Sequence, residues 1–178
     1  MIYWKKGDLL ESDCDYICQQ VNCQGKMNSG IAKQIREKWP VVYNNYMSKY
    51  DAVSDLAIKT YGGYECGLDV SEILLGDIQI VGLWNNYHAT DFHQSVINMF
   101  AQQHYGYDGR RYTSYDAFWN CLNLIKQSVT TDKKIGFPYN IGCGLGGANW
   151  NVILAMIDTV LADYTVEIYV LEDKDGKN

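Results

Sequence analysis

Two stretches of the chain gather the residue types that hold a phosphate group through the backbone. The first is Val21-Asn22-Cys23-Gln24-Gly25-Lys26-Met27-Asn28-Ser29-Gly30-Ile31-Ala32, in which small residues lead into an apolar series. Backbone N–H groups in such a loop can approach a phosphate closely, and a following helix N-terminus adds a favourable dipole. A plain helix cap is the alternative for this loop. The second is Asn140-Ile141-Gly142-Cys143-Gly144-Leu145-Gly146-Gly147, with four glycines in eight positions. Each glycine raises the entropic cost of ordering a loop, so turn chemistry alone explains this density poorly and close approach of backbone to a ligand explains it better. The loop lacks the Gly-Lys-Ser/Thr ending of a Walker loop, and it does not follow the first strand as a Rossmann fingerprint must.

Other groups have chemistry to offer but no fixed place. Cys143 is either a thiol activated by clustered N–H groups or a small packed hydrophobe. Asp91, His93 and His104 are candidate acids or bases, and Arg110 and Arg111 are either a phosphate clamp or solvated charges at a helix start. None of the six cysteines forms a Cys-x-x-Cys pair and the three histidines do not accompany them at zinc-finger spacing, so neither a metal site nor a cofactor is expected. A chain of this length and apolar content needs no disulfide scaffold, which favours reduced thiols. The formal charge of −6 and a pI near 4.9 argue against general affinity for nucleic-acid backbone. An anionic ligand must then be held locally. No segment reads as a signal peptide or approaches bilayer length, so a soluble cytoplasmic protein without membrane contact is expected.

The elements around these loops read as strands alternating with helices. Short β-branched or aromatic runs at 2–5, 15–21, 77–83, 95–101, 134–138 and 165–171 are strand candidates. Ile31, Ile35 and Trp39 recur every four residues before Pro40 and predict an amphipathic helix. A Tyr-rich second helix follows from Tyr43, Tyr46 and Tyr50. Phe118, Leu122, Ile125 and Val129 predict a helix capped by Thr113 or Ser114, and Trp150, Ile153, Ile157 and Leu161 predict another. No linker divides the 178 residues, so one domain over 1–178 is expected. The pattern predicts an α/β fold whose ligand lies beyond the carboxyl ends of a largely parallel sheet.

Gly7-Asp8-Leu9-Leu10 after the first strand, the Asn22–Ala32 loop and the Pro138–Trp150 segment occur in the order and spacing of macro domains, and the chain resembles that family over nearly its whole length. It is most similar to the branch of ADP-ribose-1″-phosphate phosphatases and terminal ADP-ribose glycohydrolases, including phage-encoded relatives with an Arg-Arg-Tyr-Thr-x-Tyr segment, here Arg110–Tyr115. The resemblance implies a three-layer α/β/α fold with a central mixed, largely parallel sheet. It implies ADP-ribose or a close derivative as ligand and ADP-ribosylated macromolecules as further partners. Asp8 would accept from the adenine amino group and Leu9 would offer its N–H. Asn22 would face the distal ribose, bordered by Asn28, Ser29, Gly30 and Ile31. Ile141, Gly142, Cys143, Gly144, Leu145 and Gly146 would wrap the diphosphate.

The bland readings are a turn-forming Asp8 and an Asn22 satisfied by backbone. The departures concern chemistry. Gln19 stands where phosphatase-like members carry a histidine, and glutamine can position a water but cannot act as a general base. Where the glycohydrolase has a lysine nucleophile and a loop aspartate, this chain has Gln102 or Gln103 and Gly146, so that covalent route is not expected. Asn22 and Gln19 are therefore the candidate catalytic residues. Two functions follow: hydrolysis of a terminal phosphate or ADP-ribosyl ester by a water held between Asn22 and the diphosphate, or sequestration of ADP-ribose-like nucleotides without turnover.

Overall fold

The computed structural model describes residues 1–60, 69–84 and 92–171. Cys66, His88 and Asp91 lie outside the described residues, as does the side chain of His93. The elements run β1 (Ile2–Lys6), a 3-10 turn (Leu9–Glu11), β2 (Tyr16–Asn22), α1 (Gly30–Lys38), α2 (Pro40–Thr60), α3 (Val70–Leu74), β3 (Ile78–Trp84), β4 (Phe92–Gln102), α4 (Tyr115–Ser128), β5 (Lys134–Pro138), α5 (Trp150–Val160) and β6 (Thr165–Val170).

The six strands form one sheet in the order β1-β6-β5-β2-β4-β3. All neighbours pair parallel except β3 with β4, which run antiparallel. Apolar residues alternate between its two faces, as a strand's period of two requires. Ile17, Val21, Val96 and Phe100 pack with Ile35, Val42, Tyr46 and Leu74 from α1, α2 and α3. Cys18, Ile97, Met99, Ile135 and Phe137 pack with Phe118, Leu122, Ile125, Ile153 and Ile157 from α4 and α5. The result is the three-layer α/β/α arrangement with a mixed, largely parallel sheet.

Pro40 both stops and starts a helix. Its ring disfavours helical geometry at Trp39, whose φ of −131° and ψ of 79° end α1. Proline suits a first helical turn, where its missing N–H costs nothing, and α2 opens on it. Ser114 caps α4 by accepting from Ala117 N at 3.2 Å. Thr113 does not cap; it is buried beneath the glycine loop. The short α3, capped by Asp69, has too few residues to show a period in sequence.

Candidate functional site

Three connected cavities form one cleft across the carboxyl ends of β1, β2, β4, β5 and β6. The first is walled by Gly7, Asp8, Leu9, Ile31, Pro138, Tyr139 and Tyr169 among others. The middle one shares Ile31, Pro138 and Tyr139 with the first and continues over Ser29, Gly142, Gly144 and Gly146. The far one shares Gln20, Ser29, Ala32, Gln102 and Leu145 with the middle and adds Asn22, Lys26, Asn28, Tyr105 and Tyr107.

At the first end, Asp8 Oδ1 accepts from Leu10 N at 2.9 Å and caps the 3-10 turn. Its other oxygen has no protein donor among the described residues, and neither has Leu9 N an acceptor. An acceptor and a donor thus stand side by side at the cavity wall. The turn is held from below by Leu9, whose side chain is buried against Gly136; a Cβ there would lie 2.6 Å from Leu9 Cδ1.

In the middle, donors come from the main chain. Ile141 N, Cys143 N, Gly147 N and Ala148 N are spent on turn hydrogen bonds to Pro138, Asn140, Gly144 and Gly142. The N–H groups of Gly142, Gly144, Leu145 and Gly146 have no acceptor among the described residues. Opposite them, α1 begins at Gly30, and its N-cap Ser29 makes no side-chain capping bond. The first-turn N–H groups of α1 stay unclaimed, and the positive end of the helix faces the cleft. Gly142 (φ 72°) needs the left-handed region, and a Cβ there would lie 2.5 Å from Gln20 Oε1.

A strut of side chains fixes that loop to the sheet. Gln20 Nε2 donates to Thr113 Oγ1 at 2.8 Å and to Gln102 Oε1 at 3.1 Å, and Thr113 Oγ1 donates to Gly142 O at 2.8 Å. The N–H groups of Tyr112 and Thr113 both donate to Gly146 O at 2.9 Å.

At the far end Asn22 is occupied by its own loop. Its Oδ1 accepts from Gln24 N at 3.0 Å and Lys26 N at 3.3 Å, and its Nδ2 donates to Lys26 O at 2.7 Å. The buried Tyr46 hydroxyl donates to Asn22 O at 2.7 Å and accepts from Lys26 N at 3.1 Å, and burial raises its pKa. Asn22 therefore lines the cavity mainly as the organiser of residues 22–26. Gln102 Nε2, by contrast, has no acceptor among the described residues.

Several site expectations meet a different placement. Gln19 does not line the cleft: it is fully buried, and its Nε2 donates to Asn98 Oδ1 at 2.7 Å, whose Nδ2 donates in turn to Gln79 Oε1 at 3.0 Å. This amide ladder joins β2, β4 and β3 in register. Gln20, one residue on, is the cleft-lining glutamine. Cys143 also faces away: its thiol packs against the α4–α5 core and donates to Ile141 O at 3.4 Å, and burial raises its pKa. Arg110 is paired with Asp108 at 2.6 Å, and the Arg111 guanidinium lies 4.4 Å from the centre of the Tyr115 ring; neither lines the cleft. His104 is exposed and also outside it. Asp8, Leu9, Asn28, Ser29, Gly30, Ile31, Ile141, Gly142, Gly144, Leu145 and Gly146 do line it. No site role was read in sequence for Gln20, Thr113, Lys26, Tyr105, Tyr107 or Tyr139. Residues two apart on a strand share a face, so the partner of Asn22 belonged at Gln20 and not at Gln19.

No cluster of three or more metal-ligating side chains occurs among the described residues, and no described helix is long and apolar enough to cross a membrane. No family model matches the chain. A 46-residue stretch is 39% identical to a DNA ADP-ribosyl glycohydrolase of Mycobacterium tuberculosis, covering 26% of this chain and 13% of that relative. The macrodomain of Mycobacterium tuberculosis DarG superposes with a TM-score of 0.66 at 22% identity, covering 95% of this chain and 97% of that one. Thermosipho africanus DarTG, solved in complex with ADP-ribose, superposes with a TM-score of 0.67 at 19% identity, covering 98% of this chain and 43% of that one.

Proposed function

Because this chain has the macrodomain fold, we propose that it binds ADP-ribose along the cleft and releases an ADP-ribosyl group from a macromolecule. The observation that carries the proposal is the order of groups along the cleft. A carboxylate oxygen and an N–H stand free at Asp8 and Leu9, four unclaimed glycine-loop N–H groups face an uncapped helix, and amides follow at Gln102 and Asn22. That sequence suits adenine, diphosphate and distal ribose in turn. The main-chain donors supply positive potential without lysines, as an acidic protein requires.

Among the described residues the far cavity is lined by amides, hydroxyls, apolar groups and one lysine, with no carboxylate or imidazole. Such a site works by positioning. A water held by Gln102 against the diphosphate attacks the anomeric carbon of the distal ribose. The bond to the departing group breaks with its electron pair, and the water's proton passes through a diphosphate oxygen to that group. The partial likeness to a DNA ADP-ribosyl glycohydrolase favours ADP-ribosylated DNA over a terminal phosphate or an ester.

The lack of a carboxylate or imidazole among the described lining residues also favours a second reading, sequestration of ADP-ribose-like nucleotides without turnover. Calorimetric titration with ADP-ribose tests binding. Product analysis with an ADP-ribosylated oligonucleotide, an ADP-ribosylated peptide and ADP-ribose-1″-phosphate then tests chemistry. Release of ADP-ribose from the oligonucleotide is the expected outcome, binding without any product selects sequestration, and absence of binding refutes both.

A further inference from the structure

We propose that the far mouth of the cleft is a nucleotide subsite, in which Lys26 takes a backbone phosphate and Tyr105 and Tyr107 stack on an unpaired base beside the ADP-ribosylated position of a single-stranded nucleic acid. The proposal rests on ADP-ribose occupying the cleft as described above.

Two loops meet at this mouth, and both are held. Lys26 follows from the Asn22 loop, where its N–H and carbonyl are tied to Asn22 and Tyr46. Tyr105 and Tyr107 come from the β4–α4 loop and remain 46% and 77% exposed while lining the cavity. Asp108 anchors their loop by accepting from Arg110 N at 3.1 Å, Arg110 Nε at 2.6 Å and Tyr112 Oη at 2.8 Å. Gly106, between the two tyrosines, sits so close to the Tyr112 ring that a Cβ would lie 2.6 Å from Tyr112 Cζ. The backbone that carries the rings is therefore held, which limits the ordering cost on a ligand to the two side chains.

Charge selects the occupant. The chain carries 21 acidic and 15 basic residues, yet among the described residues the far cavity is lined by a lysine and no carboxylate, and the nearby Asp108 is neutralised by Arg110. A cation and two exposed aromatic rings lining one cavity match a phosphate beside a base; stacking tolerates any base, but it needs one that is unpaired.

The test measures binding of the whole chain to ADP-ribose, to a single-stranded oligonucleotide carrying one ADP-ribosylated base, and to an ADP-ribosylated peptide; where turnover occurs, affinity is read by stopped-flow binding before product forms. The wild type is expected to prefer the oligonucleotide to free ADP-ribose by about tenfold or more, the scale of one stacked base. That preference falls about fivefold or more in Tyr107→Ala and Tyr105→Ala and returns in Tyr107→Phe, which keeps the ring. Lys26→Gln lowers the salt dependence of oligonucleotide binding by about one phosphate contact. Equal enhancement by the peptide, or an oligonucleotide bound no better than ADP-ribose, overturns the subsite and leaves the ADP-ribose reading intact. Failure to bind ADP-ribose overturns both.

Discussion

Asp8 divides one carboxylate between two tasks, capping Leu10 N with one oxygen and presenting the other to the cleft. Asp8→Ala should weaken ADP-ribose binding by about 1–3 kcal/mol, the cost of losing a hydrogen bond to a charged group. Unchanged affinity by calorimetry removes the adenine assignment. Asn22 carries a different expectation. Its amide holds the loop, so Asn22→Ala should lower turnover on the order of 100-fold by misplacing groups around the distal ribose, whereas Cys143→Ala keeps most of it. Tyr46→Phe, which removes the hydroxyl from the same loop without touching the cleft, should reproduce part of the Asn22 defect. If Tyr46→Phe is silent while Asn22→Ala is inactive, Asn22 acts directly on substrate. At this scale the sequence showed which residue types gather at the site but not which way they point. Gln19 and Gln20 are chemically identical neighbours, and only the facing of β2 sends one into a buried amide ladder and the other into the cleft.

The glycine loop shows what a single element contributes. Gly144 has open space where a Cβ would stand and lines the middle of the cleft, so Gly144→Val places its branch where the diphosphate would pass. Loss of binding with an unchanged melting curve is expected. Gly146→Val is a different experiment, because a Cβ there would run into Gly142 O and Thr113 Oγ1. It should displace the loop and lower the melting temperature as well as affinity. A Gly144→Val protein that binds normally would reduce the loop to a structural turn. The strands and helices around this loop were legible because alternating and four-residue periods survive in the sequence. The short α3 and the Gln20–Thr113 strut were not, since the strut joins residues 93 positions apart and leaves no local pattern.

For the whole molecule, the buried thiols set a limit on alkaline stability. Burial pushes Cys14 and Cys23 from an ordinary value of 9.0 up to about 12. Between these values the unfolded chain releases thiol protons that the folded one keeps. Their contribution to stability is complete below pH 9 and is lost as pH rises toward 12. The denaturation midpoint should therefore fall through this window, and less steeply in Cys14→Ala than in the wild type. Equal slopes in the two proteins would show that the Cys14 thiol ionises freely in the folded state. The fold class was readable at this scale because Gly7-Asp8, the Asn22 loop and the glycine loop sit at one sheet edge. The continuity of the cleft was not, because it depends on Ile31 and Tyr139, far apart in the chain, lining the same two cavities.

The bare N-terminus of α1 has one more consequence. Ser29 leaves the first-turn N–H groups without a side-chain partner, so in the free protein the amide protons of Ile31 and Ala32 should trade with solvent deuterium early, before those deeper in the helix. A bound diphosphate would then serve as the missing cap. Its arrival should register as slowed exchange at these two amides, and the ligand would complete the helix that receives it.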